Sequence, residues 1–214
     1  MKNIAFLFVG LTLLTSCGNN KDEKKNIKET FVKDSPVKAE EYDIVLAGAS
    51  IPKKLSLDSL SLILNGAGVR NKFHLKVYAA GLYLTQKTNN AVEIINENEP
   101  QAIRLHITSI LMTSDTLTEY LREGFERSTN GNTKSIQPQI ELAVKIFNQE
   151  PINKGDIYDV FYLPEEKGVK VYKNGAFVSF IPGGVEYKKA LFGIWLSNDP
   201  VDEDLKDGLL GLRT

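Results

Sequence analysis

An α+β domain over residues 42–214, an antiparallel sheet with helices packed on one face, is the fold class the sequence predicts. Three observations carry that expectation. Apolar and polar residues alternate with period two from Phe73 to Leu84 and from Ala102 to Thr108. Two stretches between Thr116 and Phe147 each carry one apolar stripe at helical spacing, which suits a helix lying on a sheet. Two further alternating runs are joined by Asn174-Gly175, the strongest short hairpin signal, because a type I′ turn needs positive φ at both central residues.

The chain begins differently. Lys2 precedes an apolar run, Ile4 to Leu14, that ends in Leu14-Thr15-Ser16-Cys17. A charged start, a short apolar core and small residues before the expected cut make a signal peptide of residues 1–16. The run is too short for a hydrocarbon core, which takes about 20 apolar residues. Leu-Thr-Ser-Cys resembles the lipobox of bacterial lipoproteins, which implies lipidation of Cys17. That cysteine is the only one in the chain, so no intramolecular disulfide is possible. Acyl chains on it would anchor the protein by hydrocarbon burial, at about 0.8 kcal/mol per CH₂. Residues 17–41 then read as a lipidated, disordered tether, since half of Gly18 to Glu41 is charged and little of it is apolar. As a flexible coil this tether spans about 25–30 Å, enough to stand a domain off a membrane. The implied location is the cell envelope, with the domain anchored on the periplasmic side or at the cell surface of an outer membrane.

Within the domain, Asp43–Ala47 and Ser59–Leu64 are short β-prone runs, separated by Ile51-Pro52 and a polar stretch. In the alternation from Phe73 to Leu84, Tyr78 shares a face with Ala80, Leu82 and Leu84. Ala102–Thr108 sets Ile103, Leu105 and Ile107 against Arg104, His106 and Thr108, the pattern of a half-buried strand. Thr116-Leu-Thr-Glu119 fits a capping box, and Leu117, Tyr120, Leu121 and Phe125 continue it as a helix. Ile136, Ile140, Ala143, Val144 and Phe147 mark a second helix. Strands follow at Ile157–Leu163, Val169–Tyr172 and Ala176–Ile181. Pro182-Gly183-Gly184 then opens a helix from about Val185 to Leu196, and a last one runs from Asp202 to Leu210.

Composition and motifs exclude several chemistries. The formal charge is −1 with no strongly basic stretch, so nucleic acid is not an expected partner. No metal site or cofactor is expected: the two histidines, His74 and His106, stand on separate strands, and zinc needs three or four convergent ligands. No Gly-x-Ser-x-Gly elbow announces a hydrolase. Gly66-Ala67-Gly68 lacks the third glycine of a dinucleotide fingerprint and leads into a strand. Its glycines are read instead as a bulge or a close backbone approach.

The segment Leu64-Asn-Gly-Ala-Gly-Val-Arg-Asn-Lys-Phe73, continued by Lys76-Val-Tyr-Ala-Ala-Gly-Leu-Tyr-Leu84, resembles the chalcone isomerase family. Ala190-Leu-Phe-Gly-Ile-Trp-Leu-Ser-Asn-Asp-Pro-Val-Asp-Glu203 is similar to the C-terminal helical segment of its bacterial members, and the resemblance covers roughly residues 43–212. It implies an open-faced β-sandwich, a large antiparallel sheet covered by helices. The family includes plant enzymes that close a flavanone ring and non-catalytic relatives that bind fatty acids. Arg70 matches the arginine of the Gly-x-Gly-x-Arg motif, used in catalysis by the enzymes and for a carboxylate by the binders. Tyr78 falls where the enzymes carry a threonine and the binders a tyrosine, and Tyr120 matches a tyrosine of the enzyme site. Arg127 stands where the enzymes use asparagine, and Ile194 replaces a Ser or Thr.

These departures remove donors that an isomerase needs to stabilise charge on a substrate carbonyl. A fatty acid needs only a cation, a hydroxyl and an apolar cleft. The resemblance therefore implies a non-catalytic lipoprotein binding a fatty acid or similar amphiphilic carboxylate through Arg70, Tyr78 and Tyr120, with no catalytic residue assigned. The alternatives are an intramolecular lyase acting on a flavonoid-like or other enone, and an envelope scaffold without a small ligand. One geometric condition attaches to the site. With a tight turn at Asn71-Lys72, Tyr78 would lie about 16 Å beyond the point opposite Arg70, at about 3.3 Å per residue. Either the turn is placed elsewhere, or Lys76 takes part, or the inherited site is altered.

Overall fold

A computed structural model describes residues 35–213. The apolar leader, Cys17 and the tether up to residue 34 lie outside the described residues. The rest belongs to one compact unit, Asp34–Thr214, which contains every strand and helix and both apolar clusters described below.

Eight strands form one antiparallel sheet in sequence order. β1 (Lys38–Leu46) and β2 (Ala49–Leu57) make the first hairpin, and β3 (Leu60–Lys72) and β4 (Leu75–Leu84) the second. A short helix, α1 (Ala91–Asn96), leads to β5 (Gln101–Ile107). Helices α2 (Ser114–Ser128) and α3 (Gln137–Phe147) precede β6 (Ile157–Leu163), β7 (Gly168–Lys173) and β8 (Ala176–Pro182). Helices α4 (Gly184–Leu196) and α5 (Glu203–Leu209) follow. The β7–β8 turn is the expected type I′, with φ of 52° at Asn174 and 82° at Gly175.

The helices contribute only to the apolar cluster on one face, over Tyr78, Ala80 and Leu82 of β4 and Ile103 and Leu105 of β5. On the other face the sheet curls, so that Ile51, Leu55 and Leu62 of the first strands pack on Ala79, Tyr83, Ala102 and Phe161. The Tyr83 hydroxyl donates to the Pro52 carbonyl at 2.8 Å and ties the curl. This second layer corrects the expectation of a half-buried β5. Arg104 is buried, and its guanidinium forks onto Asp159 of β6 at 2.6 and 2.9 Å. Burial opposes the Arg104 charge, and the Asp159 carboxylate more than offsets it, holding Arg104 above its ordinary range.

Four boundaries also differ from expectation. β1 begins at Lys38, inside the segment read as tether, because Lys38, Ala39 and Glu40 pair with Ser56, Leu55 and Lys54; a charged edge strand has the composition of a solvated linker. β2 occupies the stretch expected only to separate two strands, and its Pro52 sits opposite an irregularity in β1 between Tyr42 and Ile44. α1 has only six residues and no long periodicity to betray it. The N-cap of α2 is Thr113, whose side chain accepts from the Thr116 amide, one turn before the expected box.

The glycine-rich stretch of β3 does what its composition suggested. A bulge lies between Leu64 and Gly66, and a Cβ at Gly66 would collide with the carbonyl oxygens of Gly208 and Leu209. Only a bare backbone lets α5 lie this close to β3.

Candidate binding site

The β3–β4 hairpin decides whether Arg70 and Tyr78 meet. Its turn is Phe73-His74, with φ of 51° and 64°, closed by the pair Lys72 and Leu75. This corrects the expected turn at Asn71-Lys72 by two residues. A register shift between Arg70 and Asn71 then leaves Val77 as an extra residue and sets Arg70 directly opposite Tyr78. The 16 Å separation disappears, and Lys76, exposed near the tip, is not needed.

Both side chains point to the helix-covered face. The Arg70 guanidinium carbon lies 5.8 Å from the centre of the Tyr78 ring and 4.4 Å from that of Tyr120, brought in by α2. Lys72 Nζ also lies against the Tyr120 ring, at 4.1 Å, while pairing with Glu123 at 3.1 Å. Arg70 is only 4% exposed, its Nε makes no hydrogen bond, and no carboxylate among the described residues pairs with it. A buried guanidinium without an anion is costly unless something else completes it.

The Tyr78 hydroxyl accepts from Trp195 Nε1 of α4 at 2.9 Å. Burial raises its pKa, although Arg70 and Trp195 favour the ionised form, so Tyr78 stays a neutral hydroxyl with its own proton to donate. At the rim, the hydrogen bond from Lys72 holds the Glu123 carboxyl below its ordinary range against the effect of burial, helped by Arg70 and Arg127.

Arg70, Tyr78 and Tyr120 line one cavity, with walls that include Leu105, Phe147, Val169, Leu191, Ile194 and Trp195. Its volume is about 40 Å³, room for a few waters and far below the roughly 300–1,000 Å³ of drug-sized ligand pockets. In this conformation the cavity is too small for a drug-sized ligand. A larger open depression, about 570 Å³, lies between Leu84 and Gln101, but it is mostly lined by polar loop residues and contains no buried cation.

Ile194 stands in the cavity wall and packs against Gly124 of α2, where an added Cβ would come within 2.8 Å of Ile194 Cγ2. Arg127 does not line the cavity. It binds Asp199 and the Pro200 carbonyl, each at 2.6 Å, and so ties α2 to the segment before α5. His74 is exposed at the hairpin tip and His106 lies on β5; among the described residues no cluster of metal-ligating side chains forms.

Two cavity residues escaped the sequence reading. Trp195 positions Tyr78, and Tyr187 brings a second buried hydroxyl that has no hydrogen-bond partner. Burial also pushes the Tyr187 phenol above its ordinary pKa. A helix apolar around most of its circumference hides which residues face a cavity; only the placement of Trp195 within the resembling segment hinted at a role.

Known proteins resemble this chain in sequence and in fold. The sequence matches the chalcone isomerase-like family over residues 44–211. A crystal structure of a fatty-acid binding protein of Arabidopsis thaliana superposes with a TM-score of 0.61 at 17% identity, covering 79% of this chain and 96% of that one. At that identity the likeness is one of fold. No curated protein matches by sequence. With most of its length matched, this chain belongs to the chalcone isomerase-like family.

Proposed function

We propose that the domain binds a fatty acid, or a similar amphiphilic carboxylate, without transforming it. The observation that carries this reading is Arg70: a buried guanidinium with an unpartnered Nε, opening on a cavity whose other walls are almost wholly apolar. A carboxylate supplies the missing anion with a planar, two-oxygen match to the guanidinium fork. Tyr78, already accepting from Trp195, donates one further bond. The acyl chain then follows the apolar walls between sheet and helices as Tyr120 swings aside. Ile194 in the wall and Arg127 outside it leave too few donors to hold a polyhydroxylated aromatic substrate or a developing enolate. The fatty-acid binding protein that shares the fold supports the same ligand class.

We further propose that Cys17 is lipidated and that the protein is anchored in the cell envelope, as the lipobox-like Leu14-Thr15-Ser16-Cys17 implies. The domain's test is calorimetric titration of residues 34–214 with dodecanoic acid, alongside a chalcone cyclisation assay. Saturable binding and cyclisation no faster than the spontaneous rate are expected. Stereoselective turnover, lost in Arg70→Ala, would establish the lyase alternative instead.

A further inference from the structure

The open depression of about 570 Å³ lies at the far end of the site's own strand, where Leu84 of β4 pairs with Gln101 of β5. Leu84 stands six residues beyond Tyr78, about 20 Å along the strand, so the depression is separate from the Arg70 cavity. Its volume falls within the roughly 300–1,000 Å³ of small-ligand pockets. The segment that joins the two strands, with α1 in it, forms the walls.

Buried polar side chains hold those walls in place. Asn65 of β3 donates to the Leu209 carbonyl at 2.8 Å and accepts from the Thr88 amide at 2.9 Å. Lys188 of α4 donates to the carbonyls of Ile94, Ile95 and Glu97 at 2.5, 3.0 and 2.6 Å, which fixes the end of α1. The Tyr162 hydroxyl of β6 donates to the side-chain carbonyl of Asn98. A depression braced in this way does not have to be ordered by what binds it, and so avoids a main cost of binding.

Gln101 differs from these bracing residues. Strand alternation puts it on the face of Ile103 and Leu105, toward the helices. It lines the depression and is only 2% exposed, and its Nε2 is buried without a hydrogen bond. An unpaired buried amide is destabilising where leucine would pack without that penalty. A ligand that brings an acceptor into the depression accounts for a glutamine at this position.

The other lining residues narrow the chemistry of that acceptor. Glu93, Glu97 and Glu99 line the depression against Lys87 alone, so a carboxylate or phosphate meets net repulsion. An ammonium group offers Nε2 no acceptor. A hydroxyl accepts from Gln101 and donates to a glutamate with the same oxygen. Leu84, Ile94 and Pro100 add apolar surface for the carbon face of a ring.

We infer that this depression binds a neutral sugar unit, with Gln101 as the buried donor and the glutamates of the rim as acceptors. The inference does not depend on the carboxylate ligand proposed above, whose charge the rim would repel.

The experiment uses amide NMR spectra of isotope-labelled residues 34–214, titrated with glucose, galactose, mannose and N-acetylglucosamine, and with glucuronate as the anionic control. The readout is the side-chain amide of Gln101 and the backbone amides of residues 85–101. At least one neutral sugar should shift these signals saturably with a millimolar Kd. Glucuronate should bind more weakly than that sugar. Gln101→Leu should lose at least about tenfold in affinity for it, with a melting temperature unchanged or raised. No saturable shift with any of the neutral sugars would overturn the inference, as would glucuronate binding as tightly as the best of them. Undiminished affinity in Gln101→Leu would also overturn it, and so would a lowered melting temperature, which would make Gln101 structural.

Discussion

Replacing Arg70 with methionine should stabilise the ligand-free domain while abolishing binding, a combination that an ordinary core residue cannot produce. Methionine keeps the aliphatic stem that packs beside Tyr78 and Tyr120 and removes only the charged head. In the unliganded fold that head carries a buried Nε with no hydrogen bond and no carboxylate partner, a condition costing about 1–3 kcal/mol or more for a charged group. Against this stands the attraction to the Tyr120 ring at 4.4 Å, about 1–2 kcal/mol when partly desolvated. The balance favours methionine by about 0.5 kcal/mol, or about 1–2 °C in melting temperature for a domain of this size. With a carboxylate bound the sign reverses. The ligand loses its only buried cation, at about 3 kcal/mol, a hundredfold or more in affinity. Circular dichroism melts without ligand and calorimetric titration with dodecanoic acid measure the two halves. A melting temperature several degrees lower would show that Arg70 holds the fold together. Undiminished affinity would remove Arg70 from the headgroup site.

Tyr78→Phe should weaken the same titration by about 1.5–3 kcal/mol, for one hydrogen bond to a charged group, and should also lower the melting temperature, because Trp195 Nε1 loses its acceptor. Gly124→Ala should destabilise by up to about 2 kcal/mol in urea unfolding, since overpacking against the branched Ile194 outweighs a helix-propensity gain of about 1 kcal/mol. In an Ile194→Ala background the same change should become neutral or stabilising. Lys188 is fully buried and donates to the carbonyls of Ile94, Ile95 and Glu97 at the end of α1. Burial, with Lys189 adding to it, pushes its pKa down to about 8 from 10.5. Between those values the unfolded chain holds a proton that the folded one has lost, so stability should rise with pH across the window, by up to about 3 kcal/mol. Lys188→Met should lack that rise in paired urea melts at the two ends of the window, and a parent curve no steeper than the variant's would refute the assignment.

Much was already legible in one dimension. Alternation located β4 and β5, the stripe of Ile136, Ile140, Ala143 and Phe147 located α3, and Asn174-Gly175 located the β7–β8 turn, because each signal is local and set by backbone geometry. The motif around Arg70 and Tyr78 named two cavity residues before any contact was known, and Tyr120 joined them. Tertiary structure alone decided how these residues meet. Phe73-His74 resembles no turn signal, and the extra residue Val77 changes which side chains stand opposite, so counting from the wrong turn put 16 Å between partners that are adjacent. The curl that buries Arg104 against Asp159, the strand hidden behind Pro52, and the roles of Trp195 and Tyr187 likewise depend on packing between segments distant in sequence. Periodicity reports which face of an element is apolar. It does not report what covers that face, and the burial of an unpaired guanidinium is a property of the covering.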